Sequence, residues 1–193
     1  DQIAWGESNA IVFANSVIGA RTERYPDLFD ICCAITGRAP AMGLHLTENR
    51  AGEILFRLVD ISEELQKSDD FYPVLGNLIG KLALDKIPVI DGMTVTPTDD
   101  QFKAFGAGAA SSGGVAMFHV VGITPEASTI EDAFHGNEPA QIIDVTMDML
   151  RESRQALNHT NSSKLDMVAV GCPHLSLVEY KKLASLVKGK EKH

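Results

Sequence analysis

One cysteine of this chain stands where a thiolate could face a ligand. Cys172 follows the apolar run at residues 167–170, which predicts a strand, and a helical pattern begins at Leu175. In an α/β sheet, ligands bind in the crevice where strands end and loops begin. His174 could tune the thiolate or act on a bound ligand, and Ser176 follows at the start of the helix. Taken alone, the pattern favours a small buried thiol that closes a strand.

A block of polar side chains near the start of the chain could bind a ligand. It leads into an apolar segment at residues 10–21, which predicts a buried helix with Ser8 or Asn9 as its N-cap. Polar groups within such a helix need partners, and a polar ligand is one candidate. Arg21 could bind a carboxylate or a phosphate with its two-pronged guanidinium, or could form a salt bridge with Glu23, Asp27 or Asp30. The candidate ligand-binding residues of this block are Glu7, Ser8, Asn9, Asn15, Ser16, Arg21 and Thr22.

Other motifs carry weaker signals for chemistry. His45 lies in a stretch that predicts a short strand, where a lone histidine is more often structural than a ligand. Cys32 and Cys33 fall on a predicted helix that ends at Gly37, and both are expected in the core. The glycine-rich stretch at residues 106–114 lacks the Gly-Lys-Ser/Thr ending of a phosphate loop, so it predicts a helix end and a turn. No cysteine pair has metal-ligand spacing.

Helical and strand patterns predict the elements that position these residues. We expect an α/β fold in which helices cover a mixed or parallel sheet. Residues 52–60 fit a strand or a helix equally well. Gly76 and Gly80 within one helix predict close packing against a neighbouring element. Predicted helices span residues 62–67, 71–86, 97–108, 129–134, 139–158 and 175–187, and predicted strands span residues 115–122 and 167–170.

Composition limits the classes of protein to which the chain could belong. With 193 residues, of which 45% are hydrophobic, it can form a full core. The net charge of -9 argues against a nucleic-acid partner, because binding phosphates requires clustered Lys and Arg. No apolar stretch approaches the roughly twenty residues of a membrane span, so we expect no membrane partner. Three cysteines, two of them adjacent, favour a reducing, cytoplasmic setting.

Several motifs of this chain together match one family. They lie at residues 5–22, 25–27, 36–38, 43–45 and 171–174. The most specific motif is the block from Trp5 to Thr22, and the stretch between Glu53 and Ala169 contributes order and length more than distinctive motifs. Through these motifs the chain resembles the catalytic subunit or domain of aconitase X enzymes along its whole length. We therefore expect an internal piece of a longer protein, with possible sub-parts at residues 1–60, 61–114 and 115–193, the second helical and the third α/β.

The resemblance implies three-layer α/β/α domains of the aconitase type, with a small swivelling subunit or domain of the same enzyme as a partner. It implies iron, as an iron-sulfur cluster or a mononuclear centre, with Cys172 as one metal ligand. The family's other cysteine segments, one upstream and one downstream, are absent from this chain. We therefore expect Cys172 to be a free thiol here and no cofactor to be bound by these 193 residues alone.

The resemblance also implies a hydro-lyase that acts on a small anionic substrate. We favour dehydration of mevalonate 5-phosphate to an anhydromevalonate phosphate, and dehydration of cis-3-hydroxy-L-proline is the alternative. A third possibility is a folded module that is inactive without its missing ligands and small subunit. Candidate catalytic residues are His174, Ser176 and Ser8, and candidate substrate-binding residues are Glu7, Ser8, Asn9, Asn15, Ser16, Arg21, Thr22 and His45.

Overall fold

The computed structural model describes residues 1–26, 28–160, 162, 164, 166–171 and 173–190, and for Ser8 it describes the backbone only. These residues form two compact units, Asp1–His159 and Thr160–His193. Cys172, the candidate thiolate, lies outside the described residues.

A four-stranded parallel sheet forms the centre of the first unit. The spatial order of its strands is β3-β2-β1-β4, and every neighbouring pair is parallel. This arrangement confirms the predicted α/β fold and identifies the sheet as parallel. The strands are β1 (Ile54–Leu58), β2 (Pro88–Asp91), β3 (His119–Val120) and β4 (Gln141–Val145).

Helices connect the strands and precede the sheet. The first helix, α1, passes directly into one turn of π-helix, and two short 3-10 helices precede β1. The α-helices are α1 (Ser8–Phe13), α2 (Phe29–Thr36), α3 (Glu63–Gln66), α4 (Phe71–Ala83), α5 (Asp99–Ser112), α6 (Ile130–Ala133), α7 (Met147–Ala156) and α8 (Leu177–Val187). The π-helix spans Ala14–Ile18, and the 3-10 helices span Gly43–His45 and Thr47–Asn49.

Both faces of the sheet are covered, which confirms the expected three-layer arrangement. Successive strand side chains point to opposite faces. Phe56 and Ile90 pack on one face with apolar side chains of α4, α5 and α7. Leu55 and Val89 point to the other face and pack with Phe134, which follows α6. The larger core therefore lies on the side of α4, α5 and α7.

Helices α4 and α5 approach each other closely, as the glycines of α4 predict. A Cβ atom at Gly76 would lie 2.2 Å from the carbonyl oxygen of Phe105, and one at Gly80 would lie 2.5 Å from that of Ala109. Only glycine fits at such distances from a backbone. The glycine-rich stretch at residues 106–114 is the second half of α5 and its end, which agrees with the interpretation as a helix end and turn.

The prediction of one long helix over residues 139–158 is wrong for the first half of that range. Residues Gln141–Val145 form β4, which pairs with β1, and α7 begins only after Thr146. The spacing of Ile142 and Val145 fits a helical face, but the strand gains backbone hydrogen bonds with a neighbour that is distant in sequence. The Thr146 side chain caps the new helix by accepting from the N–H of Met149.

The prediction of a short strand around His45 is also wrong. The chain forms tight turns there, because the N–H groups of His45 and Leu46 donate to the carbonyls of Met42 and Gly43. Gly43 has a φ of +51°, a left-handed conformation that glycine adopts without strain. These local hydrogen bonds replace a strand ladder.

Helix α2 buries less than its pattern predicts. Cys33 is buried, as expected, but Cys32 is exposed, so its assignment to the core is wrong. Ile31 and Ile35 on the same helix are 51% and 80% exposed, because the first unit covers only one side of α2. Gly37, with a φ of +64°, is the C-cap that the sequence predicts.

The described residues of the second unit comprise α8 and parts of the segment that precedes it. The strand predicted at residues 167–170 does not form among the residues described, and Met167 is 83% exposed, because these residues have no neighbouring strand to pair with. Helix α8 begins after Ser176, close to its predicted start. In the described parts of both units, no helix is long and apolar enough to cross a membrane.

Candidate functional site

The polar block begins with a helix cap that the sequence assigned to the wrong residue. Glu7, and not Ser8 or Asn9, is the N-cap of α1. Its carboxylate accepts hydrogen bonds from the N–H groups of Asn9 at 3.1 Å and Ala10 at 2.8 Å. A carboxylate is well placed there, because the N-terminal end of a helix carries a partial positive charge. Glu7 therefore has a structural role, and substrate binding by Glu7 and Ser8 stays a prediction.

The π-helix places two polar side chains against the chain that leads into β3. The amide nitrogen of Asn15 donates to the carbonyl of Ala116 at 3.2 Å, and the hydroxyl of Ser16 accepts from the N–H of Phe118 at 2.9 Å. Both residues are buried. They satisfy main-chain groups beside the edge of the sheet, which the sequence could not show because about a hundred residues separate the partners. Their binding of a substrate stays a prediction.

Thr22 and Asn9 differ in how their polar atoms are used. The hydroxyl of Thr22 accepts from the N–H of Trp5 at 3.0 Å and donates to the Trp5 carbonyl at 2.9 Å, and the residue is fully buried. Asn9 has a buried side-chain oxygen that finds no hydrogen-bond partner within the described part of the chain. A buried acceptor without a partner is unfavourable. Of these two candidates, Asn9 retains the acceptor that a ligand could use.

Arg50, which the sequence analysis did not single out, is the centre of a buried hydrogen-bond network. It is 0% exposed. Its guanidinium donates to Asn15 Oδ1 at 3.2 Å, to the Asn15 carbonyl at 3.0 Å and to the Leu44 carbonyl at 2.8 Å. It also donates to the Ala20 carbonyl at 3.2 Å, and Nε and Nη2 bind the Glu126 carboxylate at 2.8 and 2.5 Å. No local signal marks Arg50, because Glu126 is 76 positions away along the chain.

Arg21 faces an open polar cavity of about 530 Å³. One of its terminal nitrogens, Nη1, donates to the carbonyl of His45 at 3.1 Å. Among the described residues Arg21 has no ion pair, so a salt bridge with Glu23 or Asp30 is not observed, and Asp27 lies outside the described residues. The polar residues that line this cavity are Arg21, Thr47, Glu126, Ser128, Asp132 and His135.

The two carboxylates of the cavity are already engaged. Burial would raise the pKa of Glu126, but its hydrogen bonds with Arg50 and the charge of Arg50 outweigh burial, and the net pKa is lowered. Asp132 accepts hydrogen bonds from the backbone and hydroxyl of Thr129 at 3.0 and 2.8 Å. Because these acids are held by other partners, Arg21 is free to attract an anion.

His45 positions Arg21 through its backbone. The ring is buried, its Nδ1 donates to the side-chain oxygen of Gln2 at 2.5 Å, and its Nε2 accepts from the hydroxyl of Tyr25. Burial lowers the pKa of His45, so the neutral ring with a proton on Nδ1 is favoured. The carbonyl of His45 accepts from both Arg21 and the Gln2 amide. Direct substrate binding by His45 stays a prediction.

In the second unit, Ser176 caps α8. Its hydroxyl accepts from the N–H of Glu179 at 3.2 Å, and the Glu179 carboxylate accepts from the N–H of Ser176 at 2.7 Å. This capping box explains why serine stands there. His174 is exposed. The catalytic roles of His174 and Ser176, and metal ligation by Cys172, stay predictions.

The described residues do not fit a metal centre by themselves. No group of three or more His, Cys, Asp or Glu side chains among them could hold a metal ion. Cys32 and Cys33 are both free thiols, one exposed and one buried.

Comparisons with known proteins agree on one family. The family model described as the aconitase X first domain matches residues 1–48, and the one described as the aconitase X second domain matches residues 52–155. A solved structure, the holo-form of Thermococcus kodakaraensis aconitase X, superimposes with a TM-score of 0.82 at 34% identity, covering 97% of this chain and 46% of that one.

Relatives of two kinds share this similarity over nearly the whole chain. Cis-3-hydroxy-L-proline dehydratase of Pseudomonas aeruginosa is 45% identical over 100% of the chain, which spans 33% of that protein. The enzyme of the same name from Hypocrea jecorina is 44% identical over 100% of the chain and 33% of its own length. The phosphomevalonate dehydratase large subunit of Methanocaldococcus jannaschii is 36% identical over 99% of the chain and 47% of its own length. The chain thus spans about a third to a half of these relatives, and it belongs to the aconitase X family.

Proposed function

We propose that the complete protein to which this chain belongs is a dehydratase that eliminates water from a small anionic substrate. The observation that carries this proposal is the similarity of the whole chain to two groups of relatives, both named as dehydratases. Elimination of water requires a base for the carbon-bound proton and assistance to the departing hydroxide. The named substrates of both groups contain an acidic group, which an arginine can bind.

Arg21 is proposed to bind the acidic group of the substrate. It lines the cavity with no ion pair in the described part of the chain, and the carboxylates beside it are engaged by Arg50 and Thr129. A guanidinium binds a carboxylate or a phosphate through two parallel hydrogen bonds. Asn9 does not line this cavity; its buried side-chain oxygen, which has no hydrogen-bond partner among the described residues, is a separate proposed acceptor for the substrate. Ser8, His174 and Ser176 are the proposed candidates for proton transfer.

We favour cis-3-hydroxy-L-proline as the substrate. The two hydroxyproline dehydratases are 45% and 44% identical to this chain, whereas the phosphomevalonate dehydratase of Methanocaldococcus jannaschii is 36% identical. These identities favour dehydration of cis-3-hydroxy-L-proline over dehydration of mevalonate 5-phosphate, which the sequence favoured. Phosphomevalonate is the second candidate, because its dehydratase matches 99% of the chain.

The experiment is an assay of the complete enzyme on both substrates. We expect turnover of cis-3-hydroxy-L-proline with a kcat/KM well above that for phosphomevalonate. Exclusive turnover of phosphomevalonate would contradict the substrate proposal, and turnover of neither would contradict the dehydratase proposal. We also propose that the complete enzyme depends on iron, with Cys172 as the candidate ligand in this chain, and iron analysis of the same preparation tests this.

Substitution of Arg21 tests its role in binding. Arg21→Gln removes a charge-assisted hydrogen-bond pair, so KM should rise about 10- to 100-fold with a smaller effect on kcat. Arg38→Gln is the matched control, because Arg38 is exposed at the end of α2 and does not line the cavity. An unchanged KM in the Arg21 variant would refute anion binding by this residue.

We propose that the complete protein is located in the cytoplasm. We also propose that its activity requires a small swivelling subunit or domain in addition to this chain. The support is that the chain spans only 33% to 47% of the relatives it matches. The isolated chain should therefore be inactive in the assay that detects the complete enzyme. Activity of the isolated chain at the level of the complete enzyme would overturn this requirement.

A further inference from the structure

Two opposite charges face the same cavity without pairing. Arg21 and Glu126 both line it, and the positive charge of Arg21 is close enough to Glu126 to lower the pKa of that carboxyl. Opposite charges in a partly buried cavity attract strongly, because the local dielectric constant is below that of water. Yet of the two arginines near Glu126, Arg50 forms the ion pair and Arg21 does not.

Geometry explains why Arg21 is left out of the pair. Arg50 binds both oxygens of Glu126, with Nε at 3.1 and 2.8 Å from the two oxygens and Nη2 at 2.5 Å from Oε1. The remaining N–H groups of Arg50 donate to carbonyls and to Asn15, so the guanidinium is fixed in one orientation. The side chain of Arg50 is 0% exposed, whereas that of Glu126, which lines the cavity, is 24% exposed. A carboxylate whose charge is neutralised in this way attracts a second arginine less strongly than an unpaired carboxylate would.

We propose that Arg50 is a positioning residue that neutralises Glu126 and thereby keeps Arg21 available for the anionic group of the substrate. The inference rests on the proposed function, since it assigns a specific role within the same site. Without Arg50, the carboxylate of Glu126 would turn to Arg21, and the two would close the anion site against the substrate.

The backbone around Arg21 supports the same role. Arg50 donates to the carbonyl of Ala20, the residue before Arg21, at 3.2 Å. The N–H of Arg21 donates to the Asp1 carbonyl, and the Arg21 carbonyl accepts from the N–H of Ile3, both at 2.9 Å. Arg50 therefore fixes both the backbone that leads to Arg21 and the acid that would otherwise capture its side chain.

Removing Arg50 has two effects, the loss of hydrogen bonds to carbonyls and the loss of the charge that neutralises Glu126, and a double variant separates them. Arg50→Gln removes the partner of Glu126 and several bonds to carbonyls. The double variant Arg50→Gln with Glu126→Gln loses the same carbonyl bonds but leaves no unpaired carboxylate. A purely structural role predicts that the double variant is as impaired as the single one, whereas the proposed role predicts recovery.

The experiment measures kcat and KM of these two variants and of Glu126→Gln in the complete enzyme, together with a crystal structure of each. For Arg50→Gln we expect KM to rise about 10- to 100-fold, as for loss of a charge-assisted hydrogen-bond pair, with Arg21 and Glu126 in direct contact in the crystal. The double variant should return to within about threefold of the wild-type KM, a difference below about 1 kcal/mol. Glu126→Gln removes the acid that would compete for Arg21, so its KM should not exceed that of Arg50→Gln.

Arg57→Gln serves as the matched control. Arg57 pairs with Asp144 at 2.7 Å between neighbouring strands, and neither residue lines the cavity. The KM of the Arg57→Gln variant should equal that of the wild type. If Arg50→Gln does not fold, the double variant and Glu126→Gln still decide, because a large KM increase in both would overturn the proposal.

The structural readout separates this inference from the proposed function. If the wild-type enzyme dehydrates neither substrate, the proposed function fails, and the crystal structure of Arg50→Gln still tests the pairing. An Arg21 side chain that stays apart from Glu126 in that crystal would overturn the inference even if the enzyme is an active dehydratase. Contact between the two, with KM raised in the single variant and restored in the double variant, supports it.

Discussion

Residues 1–50 and residues 52–159 of the first unit are stabilised by different interactions. In the second region, parallel strands and α-helices enclose a large apolar cluster that includes Phe56, Ile79 and Phe118. In the first region, short helical turns surround buried polar groups such as Asn15 and Arg50, whose partners are mostly main-chain atoms. Apolar packing tolerates some exchange of side chains, whereas a network of buried polar groups depends on each partner being present.

The difference shows where function and stability are concentrated. The cavity residues Arg21 and Thr47 come from the first region, and Glu126, Ser128 and His135 come from the second. Arg50, between the two matched family domains, contacts both regions. The apolar region thus supplies a rigid support, and the polar region places the charged group that faces the cavity.

Loss of apolar packing should have the largest effect on stability. Phe118 is fully buried and contacts the rings of Phe102 and Phe105 at centroid distances of 5.8 and 4.7 Å. Phe118→Ala should lower the free energy of unfolding by about 3–5 kcal/mol, because it leaves a cavity in the core. Urea denaturation measures the change. Ile31→Ala, at a position 51% exposed, is the control and should change stability by less than about 0.5 kcal/mol.

Removal of a polar partner in the first region should have a more local effect. Asn15→Ala leaves the N–H of Thr22 and the carbonyl of Ala116 without their side-chain partner. Each buried group without a partner is unfavourable by about 1–3 kcal/mol. Hydrogen exchange should show loss of protection in residues 1–50 with α4 and α5 unchanged. Equal loss in both regions would show that they unfold as one unit and would remove the distinction drawn above.

Acid should destabilise both regions through buried histidines. Burial lowers the pKa of His119 in β3 and of His45 in the first region, although the hydrogen bond from His119 to the Arg50 carbonyl opposes the shift. The unfolded chain then binds protons that the folded chain does not, so stability is full above about pH 6.5 and falls as the pH decreases below it. Glu126, whose pKa is lowered, adds a further loss below about pH 4.5.

Replacement of His119 isolates its share of this acid sensitivity. His119→Gln keeps an N–H donor for the Arg50 carbonyl and cannot be protonated, so its stability should depend less on pH between 7.5 and 5.5 than that of the wild type. Urea midpoints at the two pH values measure the difference, with His159→Gln, at an exposed position, as the control. The same slope in wild type and His119→Gln would assign the acid sensitivity to other groups.

An exposed ion pair should matter least. Arg57 and Asp144 pair across β1 and β4, with side chains 50% and 48% exposed. Solvent screens such pairs, so Arg57→Gln should leave the urea midpoint unchanged within error. A clear loss of stability would show that the polar interactions of residues 52–159 resemble those of residues 1–50 after all.

Regular elements with a strong local signal could be predicted from the sequence. The helices that became α3, α4, α5 and α6 begin within two residues of their predicted starts, and Gly37 ends α2 as predicted. Failures occurred where a distant partner decided the structure. The segment Gln141–Val145 forms a strand that pairs with β1 and is not part of the helix that follows it. Around His45, turns form where a strand was expected.

Part of the candidate site was also visible in the sequence. Arg21 was identified as a ligand-binding residue because a guanidinium at the end of an apolar segment suits an anion, and it does line a polar cavity. Asn15, Ser16 and Thr22 were identified by the same reasoning, and the structure shows their polar atoms bound to the protein itself. Pattern alone could not separate a buried polar group that binds the backbone from one that is open to a ligand.

The sequence by itself determined the α/β class, the starts of α3, α4, α5 and α6, the close contact of α4 through Gly76 and Gly80, and the polar block that resembles aconitase X. Each depends on residues that are near one another along the chain. Only the tertiary structure decided which arginine binds Glu126 and which is left facing the cavity. That choice depends on the positions of Arg21, Arg50 and Glu126 in space, because electrostatic pairing is set by distance and burial and not by order along the chain.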